Sequence, residues 1–446
     1  MKRDLTNGNI IGNILYFSLP YLLSYFLQTL YGMADLFIIG QFENAAATTA
    51  VSVGSQVMHM LTVMIVGLAM GSTVNIGKAV GAKDEKCTAL NIGNTVTVFM
   101  GLAVILTLVL ITLVNPITVV MSTPAEAVKG TTEYLTVCFI GIPFITAYNV
   151  LSSVFRGMGD SKSPMYFIMV ACFTNIGLDY LFIGAMHMGA AGAALGTTCS
   201  QAISVVVSLT VILKRKMGIK LSKSDFGLRK DIISKIVRTG LPIALQDGFI
   251  QISFIVITII ANSRGLIDSA AVGITEKIMS FMFLVPSSML STVSTLGAQN
   301  IGAGKPEQAR KVMRYCAVAA GVFGFIAAVV VQFVAEGFVG LFTNETAVAV
   351  SGGQYLRGYI WDSFFGGIQF CFSGYFCAIG KSGLSFMHNI ISILTVRVPG
   401  SYLMSVCFKD NLLPMGCASS AGSLLSIVIC VIAYCVVRKS EKRKAY

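Results

Sequence analysis

The sequence predicts an all-α membrane protein of twelve transmembrane helices, arranged as two six-helix bundles related by a parallel internal repeat. Three observations carry that expectation. Of the 446 residues, 55% are hydrophobic and only 12% are charged, against roughly 25% charged residues in soluble domains. Apolar runs of about 20 residues or more, the length that crosses a bilayer, recur twelve times along the chain. The second half also repeats short motifs of the first at a nearly constant distance.

In order, the runs lie near 13–40, 50–77, 91–114, 131–155, 164–185 and 189–213, then 236–262, 270–299, 312–342, 351–379, 384–407 and 412–437. They divide the chain into an N-terminal lobe over 1–213, a basic linker over 214–235 and a C-terminal lobe over 236–446 with a basic tail. With this division, 26 Lys and Arg fall on one side of the membrane and four on the other (Lys129, Arg264, Arg357 and Lys409), with Lys277 and Arg397 inside spans. Cytoplasmic loops carry the positive excess, so both termini and the linker are expected in the cytoplasm, and the protein in the plasma (inner) membrane. The N-terminus has basic Lys2 and Arg3 but no small-residue cleavage site, so the first run is expected to remain as a span.

The repeat pairs Leu19-Pro20 with Leu241-Pro242, Ala50-Val51 with Ala271-Val272, Gly81-Ala82 with Gly302-Ala303, and Phe155, Gly159 and Ser161 with Phe376, Gly380 and Ser382. The separation is 222 residues for the first pair and 221 for the others. Six spans per unit is an even number, so both units start on the same side. Such parallel repeats place a substrate path between two lobes in many transporters.

The net charge of +12 does not indicate nucleic acid, because the basic residues sit in short connections between apolar runs. Eleven cysteines are scattered singly with no CxxC spacing, as expected of small buried hydrophobes. Three histidines, His59, His187 and His388, form no metal or catalytic spacing, with His59 and His388 expected as packed core or cavity groups inside spans. No nucleophile–base set marks an enzyme, and no cofactor is expected.

The most informative stretch is Ser18 to Gly40. Ser24, Gln28, Tyr31 and Asp35 follow at helical spacing and share one face, while Pro20 marks a hinge. A carboxylate at mid-membrane costs roughly 2.5–3.5 kcal/mol on insertion scales, so its default meaning is functional. Asn175 and Asp179 share a face of the fifth span, four residues apart. Positions matching Asp35 and Asp179 in the second half are Ile257 and Gly400, so the acids belong to one repeat only. That asymmetry points to a cation site in the N-terminal lobe, which Asn149 and Thr197 complete if the spans pack as a bundle. In the second half Asp247, Glu276, Lys277, Asp362 and Arg397 are ionisable residues in or near spans, and Arg397 before Pro399 reads as a structural anchor.

These residues resemble the multidrug and toxic-compound extrusion (MATE) transporters. The likeness covers the whole chain and rests on Pro20, Gln28, Tyr31 and Asp35 in the first span, NVLSSVFRGMGDSKSP from Asn149 to Pro164, NIGLDYLFIG followed by GAAGAALGTT, and AQNIGAG from Ala298 to Gly304. The resemblance implies two bundles forming a V with a central cavity, and antiport of amphipathic or cationic organic compounds against H⁺ or Na⁺. It implies Asp35, Asp179, Asn175, Asn149 and Thr197 as cation-coupling residues able to hold Na⁺, with Gln28 and Tyr31 as a supporting polar network. Partners expected are lipophilic or cationic drugs and membrane lipids, with no nucleic acid, and the protein is expected as a monomer. The runner-up is a lipid-linked oligosaccharide flippase, whose pyrophosphate requires a basic cavity that Lys277 and Arg397 alone would have to supply. A channel or receptor needs no asymmetric acid pair.

Overall fold

The computed structural model describes residues 5–215 and 221–444, and every regular element among them is helical. Lys2, Arg3, Lys216 and Lys220, counted above in the charge bias, lie outside the described residues. The first half comprises α1 (Ile10–Phe42), α2 (Ala45–Gly81), α3 (Glu85–Thr112), α4 (Val114–Val120), α5 (Ala125–Ile140), α6 (Ile142–Gly157), α7 (Lys162–Asp179) continued by a π-helical turn (Tyr180–Ala185), and α8 (Gly189–Arg215). After a short 3₁₀ turn (Lys223–Phe226), the second half comprises α9 (Lys230–Asn262), α10 (Leu266–Met282), α11 (Leu284–Gly302), α12 (Pro306–Gly340), α13 (Thr346–Tyr359) and α14 (Trp361–Ala378). It closes with α15 (Ser382–Ser392), a second π-helical turn (Ile393–Arg397), α16 (Val398–Cys407) and α17 (Leu413–Lys444).

Local chemistry sets the boundaries. Asn44 caps α2 by accepting the Ala47 N–H at 2.9 Å, and Asp84 caps α3 through the Cys87 N–H at 2.8 Å. Asp160 accepts the N–H groups of Lys162 and Ser163, both at 3.0 Å, and so starts α7. The turn before it needs φ = +86° at Gly159, and its repeat partner Gly380 has φ = +81°, a region open to glycine.

Among the described residues ten helical segments are long and apolar enough to cross a membrane, and α5 with α6, bent by 49° at Gly141, makes an eleventh. The remaining expected run, 351–379, is broken at Ile360 into α13 and α14, where Gly352, Gly353, Arg357, Gly358 and Asp362 dilute its apolar character. Large apolar side chains stay exposed at helical spacing, as Val318, Val322, Phe325 and Val329 do on α12, which suits contact with lipid. Within the spans, Asn75, Asn91 and Asn300 each donate to the carbonyl four residues back, at 2.8 Å, which pairs their amide nitrogens within the helix without water.

Packing divides the chain into two compact units at other points than the linker ends. Leu19–Gly240 forms one unit, and residues 5–18 group with those after Leu241. Both divisions fall directly before the repeated Leu-Pro pairs. The physical reason is visible on each side. Segment 222–240 is docked on the first unit: Asn94 donates to the Asp225 carbonyl at 3.2 Å and accepts the Arg229 N–H at 2.8 Å, and Thr97 donates to the Phe226 carbonyl at 2.9 Å. Farther on, a Cβ on Gly71 would lie 2.3 Å from the Ile236 carbonyl, so α9 begins backbone to backbone with α2. In the other unit, Ser288 donates to the Ser18 carbonyl at 2.9 Å and Lys305 to that of Thr6 at 3.0 Å.

The first unit's apolar core joins Ile38, Ile39, Val51, Leu135 and Phe139 with the start of α8, and a second cluster surrounds Phe155 and Phe167. The second unit's core is built on Ile257, Val272, Val339, Tyr355 and Ile360. Six of the eleven cysteines are buried and none is bridged, whereas Cys407, Cys417 and Cys435 are exposed. His388 is buried between Ser373 and Ser426, whereas His59 lies on the exposed side of α2, which leaves it the cavity place of the two expected.

Candidate functional site

Helices α1, α7 and α8 of the first unit bring a polar cluster into an otherwise apolar interior. Asp35 comes from α1, Asn175 and Asp179 from the last turn of α7, and Thr197 from the first third of α8. Thr197 Oγ1 donates to Asp35 Oδ2 at 3.2 Å, and Asn175 Nδ2 contacts Asp179 Oδ1 at 3.4 Å. The two carboxyl groups lie within side-chain hydrogen-bonding reach of each other, and Asn175 reaches Asp35 as well. Tyr31, one turn before Asp35, reaches Thr197 and Gln201. Asp35 is 4% exposed, and Asn175 and Asp179 are fully buried.

Two features set this cluster apart from an ordinary buried polar group. Among the described residues neither acid forms an ion pair with Lys or Arg, and Asp35 Oδ1, Asn175 Oδ1 and Asp179 Oδ2 accept no hydrogen bond. Buried acceptors are nearly always satisfied, and two carboxylates this close cannot both stay ionised and bare. The pair therefore requires a proton or a small cation, and its donors, two carboxylates, an amide oxygen and a hydroxyl, suit a hard monovalent ion as well as they suit H⁺. No group of three or more His, Cys, Asp or Glu converges among the described residues.

The π-helical turn begins one residue after Asp179. Such insertions often mark functional positions, since they re-aim the side chains beside them. Gly196 supplies the seat: a Cβ there would lie 2.1 Å from Asp179 Oδ1 and 3.5 Å from Asn175 Nδ2. Only the fold shows that Gly196 faces a carboxylate. Gln201 was also missed; it is buried with an unpaired carbonyl oxygen, and nothing in its local sequence distinguishes it.

Not every expected residue joins the hydrogen-bonded group. Asn149 is buried on α6 but spends its amide on the Ile145 carbonyl at 2.9 Å. Gln28 is half-buried on α1 and makes no hydrogen bond among the described residues. Pro20 lies inside α1, and its carbonyl accepts the Ser24 hydroxyl at 2.8 Å. Arg156, in the last turn of α6, donates to the Tyr21 hydroxyl at 3.2 Å and stacks on that ring, without joining the acids.

Comparison with known proteins gives a consistent picture. The sequence pattern of the MatE family matches residues 20–181 and again 242–403, one match per repeat. The chain is 28% identical over 424 residues to the probable multidrug resistance protein YpnP of Bacillus subtilis (strain 168), covering 94% of this chain and 93% of that one. It is 25% identical over 403 residues to the multidrug export protein MepA of Staphylococcus aureus (strain N315), covering 89% and 87%. Among solved structures, an outward-facing multidrug resistance MATE transporter of the MOP superfamily superposes with a TM-score of 0.91 at 21% identity, over 98% of this chain and 97% of that chain.

Proposed function

The chain belongs to the MatE family, and on that premise we propose that it is a secondary active multidrug exporter, antiporting amphipathic or cationic organic compounds against H⁺ or Na⁺. The relatives' names, a multidrug resistance protein and a multidrug export protein, support the substrate class. The observation that carries the coupling is the sealed acid pair, Asp35 with Asp179, left without a basic partner and with unpaired oxygens.

In this mechanism Asp35 and Asp179 accept the ion. Thr197 and Asn175 hold the two carboxyls in register, Tyr31 steadies Thr197, and Asn149 offers a further neutral oxygen, with Gln28 in the supporting polar network. Neutralising the pair removes the charge penalty in the apolar interior and permits a second packing of α1, with Pro20 as its hinge. Two-state alternation between access from the cytoplasm and from outside then links ion entry to drug release. The charge bias supports a multi-pass protein with both termini in the cytoplasm. The flippase alternative is not favoured, since Lys277 is exposed on α10 and Arg397 is tied to Asp362 at 3.5 Å.

Dye efflux from proteoliposomes, with a pH or Na⁺ gradient imposed separately, tests this. Wild-type protein is expected to export an ethidium-like dye under one gradient, and Asp35→Asn to fold normally but lose gradient-driven export. Folded Asp35→Asn that still exports at the wild-type rate overturns the mechanism.

A further inference from the structure

The second unit has its own buried charged cluster, and it is built differently. Arg397 ends the π-helical turn Ile393–Arg397. It is 8% exposed. Its guanidinium lies 5.0 Å from the centre of the Phe254 ring and 5.7 Å from that of Tyr359, donates to the Tyr359 hydroxyl at 2.9 Å, and stands 3.5 Å from Asp362. Glu276 of α10 lies within electrostatic range of the same guanidinium. Two aromatic rings and a carboxylate around a delocalised cation are the elements of an organic-cation cage.

An arginine that serves only as an anchor is held otherwise, and the same unit supplies the comparison. Arg264 pairs with Asp268 at 2.7 Å and donates to the carbonyls of Ser405, Phe408 and Lys409 at 2.5, 3.1 and 2.6 Å. Arg397, in contrast, leaves its Nε without a hydrogen bond. Neither oxygen of the fully buried Asp362 accepts one, and Oε1 of Glu276 is likewise unpaired. The cage fits the charge and the flat shape of its occupant but does not saturate its donors.

We propose that Phe254, Tyr359, Asp362 and Glu276 form an organic-cation site in the second unit, that the guanidinium of Arg397 is its tethered occupant, and that a free alkylguanidinium takes its place once that side chain is removed. The first unit must then draw its cation from solution, whereas the second carries one in its own sequence. Tethering raises the effective concentration of the internal cation, so the wild-type site is closed to weak competitors. The inference does not depend on ion coupling at Asp35, and an Asp35→Asn result of either kind leaves it standing.

The test uses the purified full chain and ethylguanidinium chloride, read by calorimetric titration and by the thermal unfolding midpoint. Arg397→Ala is expected to unfold at lower temperature than wild type and to bind the probe on the order of a hundredfold more tightly, recovering much of the lost midpoint. Wild type and the double variant Arg397→Ala/Asp362→Asn are expected to show no recovery. Absence of binding by Arg397→Ala, equal binding by wild type, or binding that survives loss of Asp362 overturns the proposal. Arg397→Gln, which keeps more of the side-chain volume, is carried alongside. If neither variant can be purified folded even with the probe present throughout, the guanidinium is a fixed structural ion and the proposal also fails.

Discussion

Asp179 and Gly196 show how much of the site is decided by single atoms. Asp179 reaches Asp35 because nothing occupies the space beside Gly196, where a Cβ would come within 2.1 Å of Oδ1. Gly196→Ala is therefore expected to displace the carboxyl, with a stability loss of about 1–3 kcal/mol from overpacking and loss of ion-dependent efflux. Gly177→Ala, with nothing within 4 Å of its Cβ, is the control. Thermal unfolding and dye efflux measured together check this. Thr197→Ala removes the 3.2 Å hydrogen bond to Asp35. A charge-assisted bond contributes about 1.5 kcal/mol, which corresponds to roughly a tenfold weaker apparent affinity for the coupling ion. Thr197→Ser should retain it, and the ion dependence of efflux for the two variants distinguishes a ligand from a packing group.

At the scale of elements, the described segment 222–235 is a docked part of the first unit. Its anchor is a row on α3, Gly93, Asn94 and Thr97, which reads in the sequence as an unremarkable polar interruption of a span. Asn94→Ala deletes both of its hydrogen bonds to segment 222–229 at once. Tryptic cleavage at the basic residues of 214–230 is expected to accelerate several-fold, with the transmembrane helices intact. Asp225 adds a pH dependence. The Ser222 N–H and hydroxyl, both at 2.8 Å, hold its carboxyl below the usual carboxylate range. A group whose value is lowered on folding stabilises the docked form above its unfolded value near 4 and loses that contribution as pH falls. Exchange protection of 222–229, corrected for intrinsic rates, should thus decline on acidification below about pH 4 and be unchanged between pH 6 and 8. A decline in the neutral range would contradict the assignment.

For the whole molecule, two repeated halves share a fold while their polar interiors diverge. The first unit holds an acid pair without a cation, and the second holds acids around its own arginine. The charge bias makes orientation testable. A cysteine placed at Lys409, between α16 and α17, is expected to react with an impermeant thiol reagent from outside intact cells. One at Lys223 should react only after permeabilisation, each measured above the signal of the exposed native cysteines. Labelling with the reverse pattern would invert the topology.

Composition, run length and the 221–222-residue repeat determined the all-helical membrane class and the two-fold plan, because bilayer thickness and insertion energy act on the local sequence. The sequence also singled out Asp35, Asn175 and Asp179, since a carboxylate in an apolar run is costly wherever that run packs. It did not determine that Gly196 seats Asp179, that Asn149 turns its amide to its own helix, or that Arg397 lies against the rings of Phe254 and Tyr359. Nor did it place the unit boundaries at 18/19 and 240/241. Those depend on which helix faces come together, and helix contacts between residues far apart in the chain leave no periodic trace in either partner.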